Sequence, residues 1–215
     1  NADYEHVDSV MLEKKYRNYS KKYWQKRTIS PSALLFYLGL NKQIDIPHHC
    51  LFFDTSFKKH VEDIYDSPRW PNAPLFYTSC TSKSDPNVAP EGCEALFVLI
   101  PVAPGLKEKT ISRESYLNQV VERIEEMTGE SLKENIVVNK SYAHEEFIAD
   151  FNSFKGNAYG LANTLFQTAF FKPKIRNKKV KNLYYTGQLT VPGPGMPPAL
   201  VSGKIVADQI LKDLN

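Results

Sequence analysis

The segment 182–207, N-L-Y-Y-T-G-Q-L-T-V-P-G-P-G-M-P-P-A-L-V-S-G-K-I-V-A, constrains this chain more than any other stretch. Leu183, Tyr184 and Tyr185 form a short apolar run of strand character. Gly187 ends the run and allows close approach to the backbone. Gly193 and Gly195 supply positions free to take positive φ. Pro197 and Pro198 suit the first turn of a helix, where a missing N–H costs nothing. That helix runs on through Ile205, Val206 and Ile210, with Gly203 and Ala207 as a small-residue face. The segment therefore predicts strand, turn and helix.

A helix N-terminus offers free amides and a partial positive charge. Here the donors are Gly195, Met196, Ala199 and Leu200, because the two prolines donate nothing. Such a place suits a phosphate, or the N1–C2=O edge of a reduced flavin, which is negatively charged. It also suits a plain connection rich in proline and glycine. The spacing alone leaves both open, because Pro198 stands where G-x-G-x-x-G needs its third glycine.

The rest of the chain reads as mixed α and β. Strands are expected at 32–40, 48–54, 75–81, 94–102 and 135–142. Short helices are expected at 57–66 and 145–154. Ser112 caps a longer helix that places Leu117, Val120, Val121, Ile124 and Met127 on one face and stops at Gly129. Leu12, Tyr16, Tyr19 and Tyr23 recur at helical spacing, with Lys14, Lys15, Arg17, Lys21 and Lys22 behind them. That pattern predicts a packed helix with a solvated basic back, not a nucleic-acid surface. Strands without strict βαβ alternation indicate an α+β fold with an antiparallel-rich mixed sheet.

Other features narrow the function classes. A net charge of +3 over 215 residues is too small to imply a polyanion partner. Cys50, Cys80 and Cys93 lack C-x-x-C spacing and read as reduced thiols with no zinc site. His48-His49 are neighbours on a strand, so their side chains are expected on opposite faces, and no metal site is assigned. No apolar run approaches the ~18 residues that cross a bilayer. Ala162, Leu165, Phe166, Ala169 and Phe170 make a helical apolar stripe, followed at once by Lys172, Lys174, Arg176, Lys178, Lys179 and Lys181. The stripe reads either as a core helix before a solvated loop or as a lipid-facing element. There is no G-x-S-x-G, H-E-x-x-H or P-loop, and no catalytic residue is identified. The absence of an initiator methionine reads as a start inside a larger protein.

With these residues in view, the closing segment resembles the C-terminal flavin-binding motif of the carotenoid (phytoene) desaturase family, FAD-dependent amine-oxidase-like flavoproteins. The match rests on Asn182, Leu183, Tyr184, Gly187, Thr190, Pro192, Gly193, Gly195, Pro197, Ser202, Gly203 and Ala207, with departures at Gln188 and Pro198. Further stretches resemble the family in order: Asn1-Ala2-Asp3; Ser32 to Gly39; His48-His49; Ser84 to Gly92; Pro101-Val102; and Gly160 to Lys174, with Lys172 where the family has arginine. In detail the chain looks most like bacterial desaturases of phytoene-to-lycopene type.

The resemblance implies the C-terminal part of an enzyme that dehydrogenates a carotenoid precursor by hydride transfer to FAD. Residues 1–27 are expected to belong to the tail of the FAD domain and a connecting helix, 28–178 to a substrate-binding domain, and 179–215 to the strand–turn–helix of a Rossmann-like FAD domain. It implies flavin contacts by Thr186, Gly187, Gln188, Val191, Gly193, Gly195, Met196 and Pro197. Tyr159, Leu161, Leu165 and Gln167 are expected beside a lipophilic, phytoene-like substrate. The implied location is cytoplasmic and peripheral to a membrane, and the N-terminal FAD-binding half is the missing partner, so the chain alone is expected to be inactive. Related isomerases, saturases and oxygenases of carotenoids or retinoids, or a non-catalytic lipid- or protein-binding module, are the alternatives.

Overall fold

Strict alternation of buried and half-buried residues along 94–102 marks a strand with one face against a core. In the computed structural model, which describes residues 2–108 and 111–214, that strand is the fourth of five. They are β1 (Ser32–Leu40), β2 (His49–Phe52), β3 (Phe76–Cys80), β4 (Glu94–Val102) and β5 (Ile136–Tyr142). The helices are α1 (Tyr4–His6), α2 (Lys21–Gln25), α3 (Phe57–Tyr65), α4 (Arg113–Thr128), α5 (His144–Phe151) and α6 (Met196–Leu214). The chain divides into two compact units: Ser32–Glu145, and Asn1–Pro31 with Glu146–Asn215.

The first unit is an antiparallel sheet of order β2-β3-β4-β1-β5. Ser32 pairs with Val102 and Leu40 with Glu94, so β1 and β4 match over their whole length. Leu34, Phe36, Leu38 and Leu40 share a core with Leu96, Val98, Ile100 and Val102. α4 covers that face with Leu117, Val120, Val121 and Ile124, as its spacing predicts. Its start and stop are the expected ones: the Ser112 hydroxyl accepts from the Ser115 amide at 3.2 Å, and Gly129 takes φ 73°. The other face presents Tyr37, Tyr77, Phe97 and Leu99, with Tyr37 paired to Phe97 and Tyr77 to Leu99. Tyr37 and Leu51 are exposed there.

The loop 84–92 is tied down at the start of β4. The buried Glu94 carboxylate accepts from Ser82 and Lys83, and from the Cys80 thiol at 3.3 Å. Lys83 also donates to the Ile44 carbonyl at 2.6 Å. His48 lies just outside β2 and stacks on His49 at 4.1 Å, where alternation along a strand would have separated them.

The second unit joins the two ends of the chain. Tyr4, Trp24, Ile29, Leu161, Tyr185 and Leu189 form its core. Two expected helices are absent from it. Over 12–23 the backbone is extended at Leu12, Glu13, Arg17 and Ser20, leaving a single turn at Lys14–Tyr16 and the short α2. The cause is the buried Asp8 carboxylate, which captures the amides of Asn18 and Tyr19 at 3.1 Å each. Those donors are then lost to any helical ladder. Tyr19 and Tyr23 still pack, stacked at 4.2 Å, but Tyr16 is exposed.

Over 162–170 the apolar stripe forms only two 3-10 turns, Leu165–Gln167 and Ala169–Phe171, with Thr168 extended between them. The Gln167 amide is drawn onto Thr28, accepting from its N–H at 2.9 Å and donating to its carbonyl at 2.8 Å. This pins the middle of the stripe and turns Leu165, Phe166, Phe170 and Phe171 outward. The strand expected at 183–185 is reduced to an isolated bridge between Arg176 and Tyr184.

The Glu94 cluster should make the sheet unit sensitive to acid. Burial alone would raise its carboxyl pKa, but the bonds from Lys83, Ser82 and Cys80 outweigh burial and hold it below its ordinary value. A depressed carboxyl stabilises the fold above its unfolded pKa of about 4.3, and that contribution is lost as pH falls through the folded value. Thermal melts between about pH 3 and pH 7 should show this loss. E94Q should flatten the acid slope and cost about 1.5–3 kcal/mol at neutral pH; an unchanged slope would show that the cluster is not coupled to folding.

Candidate functional site

The closing turn is assembled by local bonds. Leu183 and Tyr185 bracket the bridge: the Asn177 amide donates to the Leu183 carbonyl at 2.9 Å and the Tyr185 amide to the Ile175 carbonyl at 2.8 Å. The chain then folds back at 187–190, where the buried Thr190 donates to the Gly187 carbonyl through its amide at 3.0 Å and its hydroxyl at 2.9 Å. The Val191–Pro192 peptide is cis. α6 starts at Met196, and the Ala199 amide donates to the Gly195 carbonyl at 2.9 Å. Pro197 and Pro198 occupy its first turn, as their missing N–H groups predict.

Ser202 locks this arrangement. Its buried hydroxyl accepts from the Gly187 amide at 2.8 Å, lies 2.7 Å from the Thr186 hydroxyl, and donates to the Ala199 carbonyl at 2.6 Å. One side chain thus joins the end of the apolar run to the helix.

Thr186, Gly187 and Gln188 line a cavity of about 580 Å³ together with Asp3, Tyr4, Phe147, Phe151, Asn157 and Ala199, among others. Gln188 is set by Gly160, whose φ is +73° and where a Cβ would stand 3.0 Å from the Gln188 carbonyl oxygen. Asp3 closes the floor, accepting from the Phe154 amide at 2.7 Å and the Asn157 side chain at 2.9 Å. Burial pushes its carboxyl pKa up despite those bonds. Val191, Gly193, Gly195, Met196 and Pro197 lie outside this wall, in the turn and the helix start.

Sequence reasoning noted Lys172 but gave it no place in the site. Its side chain is buried, 3% exposed, and its ammonium has no hydrogen-bond partner among the described residues. It reaches Gly193: a Cβ there would stand 3.0 Å from the Lys172 Cε and 3.2 Å from its Nζ. Burial pushes the amine pKa down. The available signal was a cation set between Phe171 and Pro173, directly after an apolar stripe.

The four expected substrate residues fall in different surroundings. Tyr159 is partly exposed and Leu165 is 76% exposed. Leu161 is fully buried in the core of its unit, and the Gln167 amide is held by Thr28 and by the Ala162 carbonyl at 3.1 Å. No described helix is long and apolar enough to cross a membrane.

The profile of the flavin containing amine oxidoreductases matches residues 50–211. The chain is 40% identical over 215 residues to a carotenoid 3,4-desaturase from Haloarcula japonica, covering all of this chain and 43% of that protein. It is 30% identical over 216 residues to a zeta-carotene-forming phytoene desaturase from Myxococcus xanthus, covering 98% of this chain and 41% of the relative. The chain thus spans well under half the length of these two curated relatives. In fold it is similar to an oxidoreductase from Methanosarcina mazei, with a TM-score of 0.56 at 14% identity over 95% of this chain and 41% of that one.

The residues present fit a flavin. The space beside Gly193 is one a Cβ would fill, and a buried ammonium without an acceptor among the described residues lies against it. The Ala199 amide, expected as a free donor, is instead taken by the Gly195 carbonyl, and Pro197 and Pro198 have no N–H to offer. By its matching profile and its relatives, the chain belongs to the family of flavin containing amine oxidoreductases.

Proposed function

We propose that this chain is the C-terminal part of an FAD-dependent enzyme that dehydrogenates C–C bonds of a carotenoid precursor. The observation that carries the reading is the Ser202 lock, which holds the Gly187 end of the apolar run against the first turns of α6. Bound FAD would supply the hydride acceptor. Thr186, Gly187, Gln188, Val191, Gly193, Gly195, Met196 and Pro197 are the residues assigned to hold it. In the whole protein, residues 28–178 are assigned to the substrate domain, and 1–27 and 179–215 to the FAD domain, although 28–31 and 146–178 cluster with the two ends of the chain.

A lipophilic substrate fits the outer face of the sheet. Tyr37, Leu51, Tyr77, Phe97 and Leu99 offer hydrocarbon and aromatic surface there with few charges. Such a surface excludes water and leaves the position of a polyene to shape alone. In the other unit, Tyr159 and Leu165 are assigned to substrate from the family resemblance alone, with Leu161 and Gln167 anchoring their segment.

The protein at the full length of its relatives, expressed in a carotenoid-free host supplied with phytoene, should yield products with longer conjugation by chromatography and absorption. This chain alone should not bind FAD tightly, because the ADP part needs a βαβ unit. Ser202→Ala strands the Gly187 amide. It should weaken FAD retention at least about tenfold and cost about 1–3 kcal/mol of stability. Stoichiometric FAD on the isolated chain, or phytoene left unchanged by the full protein, would count against the proposal.

A peripheral membrane contact belongs to the same proposal. Leu165, Phe166, Phe170 and Phe171 are all exposed, and Lys174, Lys178, Lys179 and Lys181 follow close by in sequence. Apolar side chains beside lysines favour an anionic lipid surface, at about 1 kcal/mol per cation. Co-sedimentation of the full-length protein with vesicles should rise with anionic lipid and fall at least about fivefold for K178E/K179E. Binding indifferent to lipid charge and to those residues would remove this part.

A further inference from the structure

Among the described residues, Lys172 is a buried amine that the reading above does not use. A lysine stem is long enough to carry its charge to water, and lysines are rarely fully buried unless paired. Here the end stays inside, at 3% exposure, with no acceptor within reach among the described residues. Gly193 takes φ +134°, where other residues are strained, and a Cβ there would stand 3.0 Å from Cε and 3.2 Å from Nζ, so the lysine end occupies space a side chain would need. Asn163 Oδ1 lies 3.3 Å from the same point. Two residues after Gly195 comes Pro197, in the first turn of α6, a helix of 19 residues whose dipole adds positive potential at this end.

We infer that the Lys172 ammonium is the counter-charge to the negative part of the bound flavin nucleotide, delivered through the space left at Gly193. The inference rests on the flavoenzyme reading above. Two parts of that nucleotide carry negative charge: the diphosphate, and the N1–C2=O edge of the reduced ring. Either relieves a buried cation that lacks a partner. Burial lowers the amine pKa in the chain as it stands, and an anion alongside would restore the charged form.

The test uses the full-length protein as wild type, K172R and K172M, with FAD affinity and flavin midpoint potential as readouts. K172R keeps the charge and should behave as wild type. K172M should lose affinity at least tenfold at unchanged potential if the diphosphate is the partner. If the ring is the partner, the potential should fall by at least about 30 mV at unchanged affinity, the equivalent of tenfold for a two-electron couple. Lys172→Gln replaces K172M should the methionine variant not fold. A charge-removing variant that keeps both affinity and potential overturns the inference and leaves the flavoenzyme reading standing. A wild-type protein that holds no FAD removes that reading, and this inference with it.

Discussion

The closing turn depends on a buried polar and aromatic knot that ties the first residues of the chain to its last seventy. Tyr4 and Tyr185 stack at 3.5 Å with an interplanar angle of 11°. The Tyr4 hydroxyl accepts from the Asn18 side chain at 2.7 Å and donates to the Lys174 carbonyl at 2.9 Å. Asn177 donates to the Tyr16 carbonyl and the Tyr185 hydroxyl, while its own oxygen accepts from the amides of Lys179 and Val180. Without these contacts the apolar run 183–185 has only one bridge to place it. The placement of this turn is therefore a product of long-range polar bonds more than of sheet pairing.

That dependence explains what the sequence could reveal. The sheet unit was readable because its elements are specified locally. Alternation along β4, the Ser112 cap and the Gly129 stop each act within a few residues. The second unit is specified by distant partners. The tyrosines at 16, 19 and 23 have helical spacing, yet Asp8 takes the amides a helix would need. Leu165, Phe166 and Phe170 likewise have helical spacing, yet Gln167 is held by Thr28, 139 positions away. Periodicity measures a preference for burial, and here buried polar bonds decided the backbone.

The site divides in the same way. The motif residues Gly187, Thr190, Pro197 and Ser202 were visible because each has a role within the turn itself. Lys172 was not, since its relation to Gly193 appears only once 160–174 and 187–195 are folded together. Gln188 lies between these cases. It was singled out as a departure from the motif, and its backbone proves to be set by Gly160.

Three independent restraints meet on this turn. Ser202 fixes its entry against α6, Gly160 fixes Gln188 from below, and Gly193 is held open over Lys172. Movement of the turn at its entry would break the Ser202 bonds, and movement at Gln188 would close on Gly160. Among the described residues the Lys172 ammonium finds no acceptor, and burial favours its neutral form. Under the proposal, groups held in place before a ligand arrives would stabilise its charge without reorganising.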